Sequence, residues 1–272
     1  MKHIQTKEIR KILTPASGFL SGYTHTLNPY SGCAYSCSYC YVRSFPHAIF
    51  RGEPWGSWVD IKANAPEQLQ KELRNAKKKG PVTIFMSSST DPYQPSEHQH
   101  EITKRILEVF AENPPDFLFL QTRSPLVRRD LPLLEKLRDR IRVSITVETD
   151  LEDVRKRFTP EAPPIPARLR VLKELTNAGI PTQAAVSPLL PSSDFFPAKL
   201  AGVTGRVVID DYYMGDGAQG RRTKKLHMEQ YYTEEELDRW FHPEAYLRFR
   251  ESCLKHFSAE NVKISQEGFL PG

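Results

Sequence analysis

The segment NPYSGCAYSCSYCYVRS, residues 28–44, holds three of the four cysteines of this 272-residue chain. Cys33, Cys37 and Cys40 lie close together among tyrosines and small polar residues. A tight cysteine cluster in a chain otherwise poor in cysteine is typical of a metal site and not of a secreted disulfide framework. The segment, called the cysteine loop below, therefore predicts metal chemistry.

The composition is that of an ordinary globular protein, with 39% hydrophobic and 26% charged residues. No stretch approaches the roughly 20 apolar residues of a membrane span. The first residues, MKHIQTKEIRKIL, include basic side chains but no apolar signal core, so we expect a cytoplasmic protein with no membrane partner. The net charge of +5 permits a polyanionic partner without requiring one.

Along the chain, apolar runs typical of strands alternate with segments in which apolar residues repeat at helical spacing. The runs are THTLN (24–28), VTIFM (82–86), FLFLQT (117–122), IRVSITV (141–147), IPTQAAV (180–186) and RVVID (206–210). Helical faces that begin at Ala65, Ile102, Leu131 and Leu169 separate them. This α/β pattern predicts a parallel sheet with right-handed crossovers. The sheet is either open and doubly wound or closed into a barrel with fewer than eight strands.

The spacing of the cysteines, C-x3-C-x2-C, supplies three thiolates from one loop. A [4Fe–4S] cluster normally takes four cysteine ligands, so three would leave one iron with an open coordination position. Cys253 lies in a predicted C-terminal helix, where Tyr246, Phe249 and Phe257 share its face. We therefore expect Cys253 to be a core residue and not a fourth ligand.

Zinc is the alternative metal. Structural zinc usually takes two pairs of ligands, and here the second pair would have to include His47 or Cys253. No second cysteine knuckle exists in the sequence. A zinc-containing nucleic-acid-binding protein without catalysis nevertheless stays open as an alternative class of function.

The motif C-x3-C-x-φ-C after a first strand, with Tyr39 at φ, resembles the signature of radical S-adenosylmethionine (SAM) enzymes. The whole cysteine loop, together with SSTDPYQPSE (88–97), is similar to the spore photoproduct lyase-like branch, often called DNA repair photolyases. The resemblance implies a partial (β/α)6 TIM-type barrel, which agrees with the six units counted above. It divides the chain into a barrel at residues 1–215, with its core at about 20–215, and a basic loop with a C-terminal helical extension at 216–272.

The resemblance also implies two cofactors, a [4Fe–4S] cluster on the three cysteines and SAM chelated by the open iron. Such enzymes cleave SAM reductively to a 5′-deoxyadenosyl radical that abstracts hydrogen from the substrate, and they need an electron donor such as flavodoxin or ferredoxin. Ser89, Thr90 and Asp91 correspond to the segment that binds the SAM amine. The same STDP sequence is also good turn chemistry.

Further cofactor contacts follow from the resemblance. Arg123 would face the SAM carboxylate, Ser144 would contact the cofactor, and Ala185 would offer backbone groups to adenine. Glu148 would bind ribose hydroxyls, or it would cap the following helix. Tyr39 and Tyr41 flank the last cluster cysteine; the family implicates such tyrosines in catalytic radical relay, while packing and adenine contact are their simpler roles.

The sequence departs from photoproduct lyase at one position. The lyase returns hydrogen through a cysteine thiol three residues before the aspartate of the second strand's loop, and here that residue is Ser88. The O–H bond of a serine is too strong for this donation. Photoproduct lyase activity is therefore not expected, although the radical-generating residues are present.

Substrate binding is predicted for the loop that follows the sixth strand, DDYYMGDGAQGRRTKKLHMEQYY (210–232). Its basic residues can neutralise phosphates and its tyrosines can stack on bases, whereas a flexible lid is the simpler interpretation. The candidate nucleic-acid contacts are Arg221, Arg222, Lys224 and Lys225. We expect a nucleic-acid substrate, with DNA lesion repair by family analogy. Radical modification of RNA, protein or a small molecule is the alternative.

Overall fold

The computed structural model describes residues 2–216 and 218–271. The strands in this part of the chain are β1 His3–Lys7, β2 Leu13–Pro15, β3 His25–Leu27, β4 Tyr30–Ser31, β5 Trp58–Lys62, β6 Thr83–Met86, β7 Phe117–Thr122, β8 Ile141–Thr146, β9 Thr182–Val186, β10 Val207–Ile209 and β11 Val262–Ile264. The α-helices are α1 Pro46–Ile49, α2 Ala65–Lys77, α3 Glu97–His100, α4 Ile102–Glu112, α5 Leu131–Lys136, α6 Glu152–Phe158, α7 Ile165–Asn177, α8 Phe196–Ala201, α9 Arg221–Lys224, α10 Glu234–Trp240 and α11 Ala245–Cys253. Seven short 3-10 helices complete the described elements: Gly18–Leu20, Tyr41–Ser44, Pro125–Asp130, Arg138–Arg140, Met228–Tyr231, Ala259–Asn261 and Ser265–Phe269.

Six parallel strands form the main wall in sequence order, β3-β6-β7-β8-β9-β10. They coincide with the six strand-like runs of the sequence, and the predicted α/β partial barrel is confirmed. The register pairs Thr26 with Phe85, Phe85 with Phe119, and Ala185 with Val208. Because all six run in one direction, their carboxyl ends meet at one face.

The crossover helices pack on the outside of this wall through one apolar stripe each. Leu69 and Leu73 of α2 and Ile106 of α4 are fully buried, as are Leu172 and Leu175 of α7. Their spacing of three or four residues places these side chains on a single helix face. No helix among the described residues has the length and hydropathy that a membrane span requires.

The C-terminal segment adds more than helices. β11 pairs in parallel with β10 and extends the main sheet, while β2 pairs antiparallel with β3 at the other edge. The expectation of helix to near the C terminus is therefore wrong from Val262 onward. Two apolar residues in a three-residue strand carry too little periodicity to predict it, and the strand exists because β10 offers an open edge.

The last 3-10 helix, Ser265–Phe269, enters the barrel interior. Phe269 packs beside Phe85 and Phe119, with ring centroids 6.5 and 6.0 Å away. A Cβ at Gly268 would lie 2.1 Å from Val208 Cγ2, so only glycine allows this close approach. The segment thereby fills the interior below the cavity described next.

A second sheet, in the order β1-β5-β4, supports the cysteine loop. β4 is part of that loop and is followed by Gly32, which has φ +77° and whose added Cβ would lie 2.4 Å from the Trp58 carbonyl oxygen. Glycine is thus required twice at this position, for the backbone angle and for the approach to β5. The sequence pattern did not predict this sheet.

Candidate active site

A cavity of about 520 Å³ opens at the carboxyl ends of the parallel strands. Cys33, Cys37 and Cys40 line it together with the Ser88–Asp91 turn and Arg123. Barrel enzymes place their active sites at this end of the strands. The fold therefore brings the cysteine loop and the loops after β6 and β7 to one cavity.

The three cavity cysteines are free thiols, of which Cys33 and Cys37 are buried and Cys40 is half-buried. Cys253 lies in the main hydrophobic core with Phe249 and Phe257, which confirms it as a core residue. Within residues 2–216 and 218–271, no three Cys, His, Asp or Glu side chains are placed to share one metal ion. A zinc site needs all its ligands at about 2.0–2.3 Å from a single ion. Three thiols from one loop that do not surround a single ion suit a cluster, in which each thiolate binds a different iron.

Burial raises the pKa of each of these thiols. The pKa of Cys40 rises to about 12, with repulsion from Cys37 adding to burial. At Cys37 burial again dominates, and the Arg123 guanidinium opposes it. Before metal binds, the thiols are therefore neutral, and a metal must displace their protons to gain thiolate ligands.

Hydrogen bonds fasten the loop after β6 to the cysteine loop. The Thr90 hydroxyl donates to the Gly32 carbonyl oxygen at 2.6 Å, and the Gln94 side chain accepts from the Ala34 amide at 2.9 Å. The Ser89 amide donates to Asn28 Oδ1 at 2.9 Å. Two loops that are about 60 residues apart in the chain thus form one rigid cavity wall.

Asp91 is buried in this wall and joins it to the end of β7. It accepts hydrogen bonds from Thr122 Oγ1 at 2.6 Å, from the Arg123 amide at 2.8 Å and from the Tyr93 amide at 2.9 Å. Burial raises the pKa of this carboxyl despite those donors. Its position on the lining leaves the carboxylate close to whatever occupies the cavity.

Arg123 is the charged centre of the site. Its Nη1 lies 3.0 Å from Cys37 Sγ, 2.9 Å from the Tyr39 hydroxyl and 2.7 Å from Glu148 Oε1. The Tyr39 hydroxyl also donates to Glu148. The guanidinium is thereby held against the cysteine loop in one orientation.

A second arginine also contacts Glu148. The fully buried Arg168 of α7 donates from Nη1 to Glu148 Oε2 at 2.7 Å. Burial by itself would raise the pKa of Glu148, but Arg123 and Arg168 together outweigh burial and hold that pKa below its usual range. The carboxylate is therefore charged and satisfied on both oxygens. Nothing in the sequence marked Arg168, which occupies an ordinary position in an amphipathic helix.

Three predicted cofactor contacts lie outside the cavity lining that the described residues form: Ser144, Glu148 and Ala185. Ser144 is fully buried and accepts a hydrogen bond from Gln183 Nε2 at 3.2 Å. Ala185 is buried in β9. Their roles in cofactor binding stay predictions.

The two tyrosines beside Cys40 both line the cavity. Tyr39 is committed to Glu148 through its hydroxyl, whereas the Tyr41 hydroxyl lies 3.4 Å from the Ser88 carbonyl oxygen. Ser88 itself lines the cavity, and its hydroxyl accepts from Asn28 Nδ2 at 3.1 Å. A catalytic role for either tyrosine stays a prediction.

Asp210 and Asp211 also line the cavity, although the sequence pattern gave them no individual role. They follow β10 directly, so a polar pair at the carboxyl end of the sixth strand was the available signal. Burial and the neighbouring Asp211 raise the pKa of Asp210 to about 7. Asp211 uses one oxygen to accept from the amides of Tyr213 and Met214, which shapes the start of the basic loop.

The basic loop lies at the mouth of the same cavity. Asp216 organises it by accepting hydrogen bonds from the amides of Arg222 and Thr223 at 2.8 and 3.1 Å. Arg222 lines the cavity, with its guanidinium 5.2 Å from the Phe45 ring centroid. The other three candidate cations, Arg221, Lys224 and Lys225, are exposed. In the part of the chain that the structure describes, none of the four forms an ion pair with a carboxylate.

A family model described as the radical SAM superfamily matches residues 27–193, more than half of the chain. This chain belongs to the radical SAM superfamily. Its members use a [4Fe–4S] cluster and SAM, and they depend on an electron donor. The donor set and the cavity of this radical SAM chain fit both cofactors.

The curated relatives of this radical SAM chain include an uncharacterized protein of Methanocaldococcus jannaschii, 33% identical over 63% of this chain and 62% of that protein. An uncharacterized protein of Mycobacterium tuberculosis is 28% identical over 84% of this chain and 67% of its own length. A protein of Pseudomonas phage M6 named radical SAM Nα-GlyT isomerase is 30% identical over 60% of this chain and 32% of its length. The chain thus matches less than two thirds of the archaeal and phage relatives.

Solved structures of spore photoproduct lyase share the fold. One, complexed with dinucleoside spore photoproduct, has a TM-score of 0.67 at 12% identity and covers 96% of this chain and 81% of that chain. A Streptococcus suis protein bound to SAM has a TM-score of 0.51 at 13% identity and covers 88% of this chain and 49% of that one. At these identities the likeness concerns the fold alone.

Proposed function

We propose that this radical SAM enzyme acts on a nucleic acid. The observation that carries the proposal is a set of four cations, Arg221, Arg222, Lys224 and Lys225, that have no carboxylate partner among residues 2–216 and 218–271 and belong to the loop beside the cavity. When bound, the two cofactors supply a 5′-deoxyadenosyl radical that abstracts hydrogen from the substrate. The protein contributes position, charge and exclusion of water.

Cys33, Cys37 and Cys40 are proposed as the cluster ligands. A fourth cysteine ligand is not required, because the open coordination position is the place where SAM would bind. The Ser89–Asp91 segment is proposed to accept hydrogen bonds from the SAM ammonium group, since Asp91 and the two hydroxyl side chains line the cavity. The hydrogen bonds to the cysteine loop keep these acceptors in place relative to the three sulfurs.

Arg123 is proposed to face the SAM carboxylate. Its contacts with Cys37 and Glu148 leave the rest of the guanidinium on the cavity side, where it can donate to a carboxylate. Glu148 is proposed here as a positioning residue in addition to the predicted ribose contact. Its buried charge balances Arg123 and Arg168, so the pair of arginines tolerates burial.

The four cations favour a polyanion over other substrates. Elsewhere in the described chain many arginines are paired with carboxylates, for example Arg129 with Glu97 and Arg157 with Glu236. Unpaired cations beside a cavity would neutralise phosphates and release counterions. A solved structure of the same fold holds a dinucleoside photoproduct, which suggests this substrate class by analogy of fold alone.

DNA lesion repair is the favoured reaction, but not by the hydrogen return that photoproduct lyase uses. Ser88 stands where that lyase has its donor cysteine, and a serine hydroxyl cannot give up hydrogen to a carbon radical as a thiol does. A different donor, or a reaction whose product needs none, is therefore part of the proposal. Tyr41, whose hydroxyl lies 3.4 Å from the Ser88 carbonyl oxygen, is proposed as a candidate donor.

Flavodoxin or ferredoxin is proposed as the electron donor, and the cytoplasm as the location. The four cysteines are free, and a reducing compartment keeps thiols available for a metal.

The proposal is tested by anaerobic turnover. The protein is reconstituted with iron and sulfide, reduced with dithionite and given SAM with single-stranded DNA, duplex DNA or RNA. We expect 5′-deoxyadenosine by mass spectrometry, and deuterium from labelled substrate in that product with at least one nucleic acid. The variant with the four cations changed to alanine should cleave SAM alone as the wild type does, yet lose the label transfer. Label transfer undiminished in that variant would contradict the proposal.

A further inference from the structure

Two adjacent apolar side chains are exposed directly after the cysteine loop. Phe50 is 86% exposed and Ile49 is 60% exposed. Most large apolar residues in the described chain are buried, so an exposed pair at this position needs a reason. No other described Phe, Trp, Tyr, Leu, Ile or Met side chain is as exposed as Phe50.

The backbone under this pair is well anchored. The Phe50 amide donates to the Pro46 carbonyl oxygen at 2.8 Å and closes the single turn of α1. The next residue, Arg51, forms ion pairs with Glu53 and Asp60 and lies over the Trp58 ring at 4.7 Å. The exposed ring therefore belongs to a fastened turn.

The turn joins the cavity mouth to the basic loop. Phe45, which caps the start of α1, lines the cavity and lies under the Arg222 guanidinium. A helix rises about 1.5 Å per residue, so Phe50 lies roughly 7 Å along the axis from Phe45. The exposed ring thus ends the same turn whose first residue lines the cavity and contacts Arg222 of the basic loop.

This arrangement matches the needs of a single nucleic-acid strand. Cations bind the phosphates but offer no surface to a base, whereas an aromatic ring does. The cysteines lie inside the cavity, and a base stacked in a duplex could not reach them without being turned out. An aromatic surface at the entrance would replace the stacking that the strand loses.

We propose that Phe50, supported by Ile49, is a stacking surface for a base of a single-stranded or locally opened nucleic acid. The phosphates of that strand bind Arg221, Lys224 and Lys225. The inference rests on the proposed function and narrows the substrate from nucleic acid in general to unpaired nucleotides.

The test measures binding of the cluster-loaded protein to a fluorescently labelled oligothymidine strand and to the matched duplex by anisotropy. Base–aromatic stacking is worth about 1–3 kcal/mol, so Phe50→Ala should weaken single-strand binding by roughly fivefold to a hundredfold. The duplex should bind almost as before. Phe50→Trp should restore single-strand binding and Phe50→Leu should not.

The matched control is Phe195→Ala. Phe195 is 73% exposed and immediately precedes α8, so it belongs to a different segment from α1 and the basic loop. This control should bind both nucleic acids as the wild type does.

The outcomes separate the two proposals. If the wild type binds no nucleic acid at low salt, the proposed function fails and the inference with it. If the wild type binds and only the cation variant is impaired, the stacking surface is wrong while the function stands. If Phe50→Ala leaves binding intact but slows cluster reduction by reduced flavodoxin, the patch is a reductant docking surface and the inference is overturned.

Discussion

The inner side of the cavity around Arg123, called the inner wall, and the basic loop at its mouth, called the rim, differ in how their charged side chains are paired. On the inner wall, Arg123 and Arg168 share the buried carboxylate of Glu148. On the rim, Arg221 and Lys224 are exposed and, among the described residues, unpaired with any carboxylate. The Glu148 carboxylate is paired on both oxygens before any ligand arrives, whereas the cations of the rim have no carboxylate partner among the described residues.

The difference separates two tasks. A buried charge must be paired inside the protein because water is not there to solvate it, and the pairing fixes its orientation. Exposed cations lose little by staying unpaired, so they remain available for an outside anion. The wall therefore suits a fixed cofactor and the rim suits an exchanging substrate.

The largest expected effect is the loss of the metal site on the inner wall. Cys37→Ala should lose cluster binding and, with it, SAM cleavage, since two thiolates cannot hold the four-iron cube. Iron and sulfide content after reconstitution measures the loss. Cys253→Ala should keep the full content, because that thiol lies in the core. A Cys37 variant with a full complement of iron would refute the assigned ligands.

The next change removes the charge that the wall arginines share. Glu148→Gln should lower the free energy of unfolding by about 3–5 kcal/mol, because it leaves two buried cations without their carboxylate. Urea unfolding of the variant and the wild type measures this difference in the free energy of unfolding. Glu267→Gln, which breaks an exposed pair with Lys263, should have a far smaller effect. Equal stability of the two variants would mean that the buried pairing does not hold the wall together.

The rim should respond through salt. Changing its four cations to alanine should weaken single-strand binding and lower the slope of log affinity against log salt by about 3, if each cation meets one phosphate. The control changes Lys78 and Lys79, which are exposed at the end of α2, near the amino end of β6. If the slope stays the same in the rim variant, the basic loop does not bind phosphates and is only a lid.

The last expected effect concerns the dependence of stability on pH. Asp210 has a pKa of about 7 in the folded chain, above the unfolded value near 3.9, so the folded state holds its proton more tightly. The stability contributed by this group is present below about pH 4 and is lost as pH rises to about 7. Asp210→Asn should therefore exceed the wild type in stability at pH 8, by a margin that shrinks toward pH 5.

Urea midpoints at the two pH values measure this margin. Asp194→Asn, at an 85% exposed carboxylate, should show little difference between the two pH values. A margin for Asp210→Asn that does not change with pH would show that its carboxyl titrates normally.

Much of the fold could be read from local sequence. The six wall strands are runs of β-branched and aromatic residues, and α2, α4 and α7 repeat apolar residues with helical spacing. β1 (HIQTK) and β11 (VKI) were not predicted because each has only one or two apolar residues, too few to form a periodic pattern. A short segment of that kind becomes a strand only when its partner's edge is in place.

The candidate site divides in the same manner. The spacing of three cysteines in eight residues was visible at once, and the Ser89–Asp91 segment followed from the family resemblance. Arg168, Asp210 and Phe50 were not visible. The burial of Arg168, the raised pKa of Asp210 and the exposure of Phe50 all depend on which residues surround them in the fold. The division of the chain at residue 215 stays a prediction.

The sequence by itself determined the six strands of the main wall, the crossover helices and the cysteine loop, because each is a pattern of residues close together in the chain. Only the tertiary structure decided which charges are paired. Arg123 and Arg222 are the same residue type, yet one lies beside Glu148 and the other beside Phe45. The physical reason is that ion pairing and desolvation depend on distances across the fold, which local sequence does not encode.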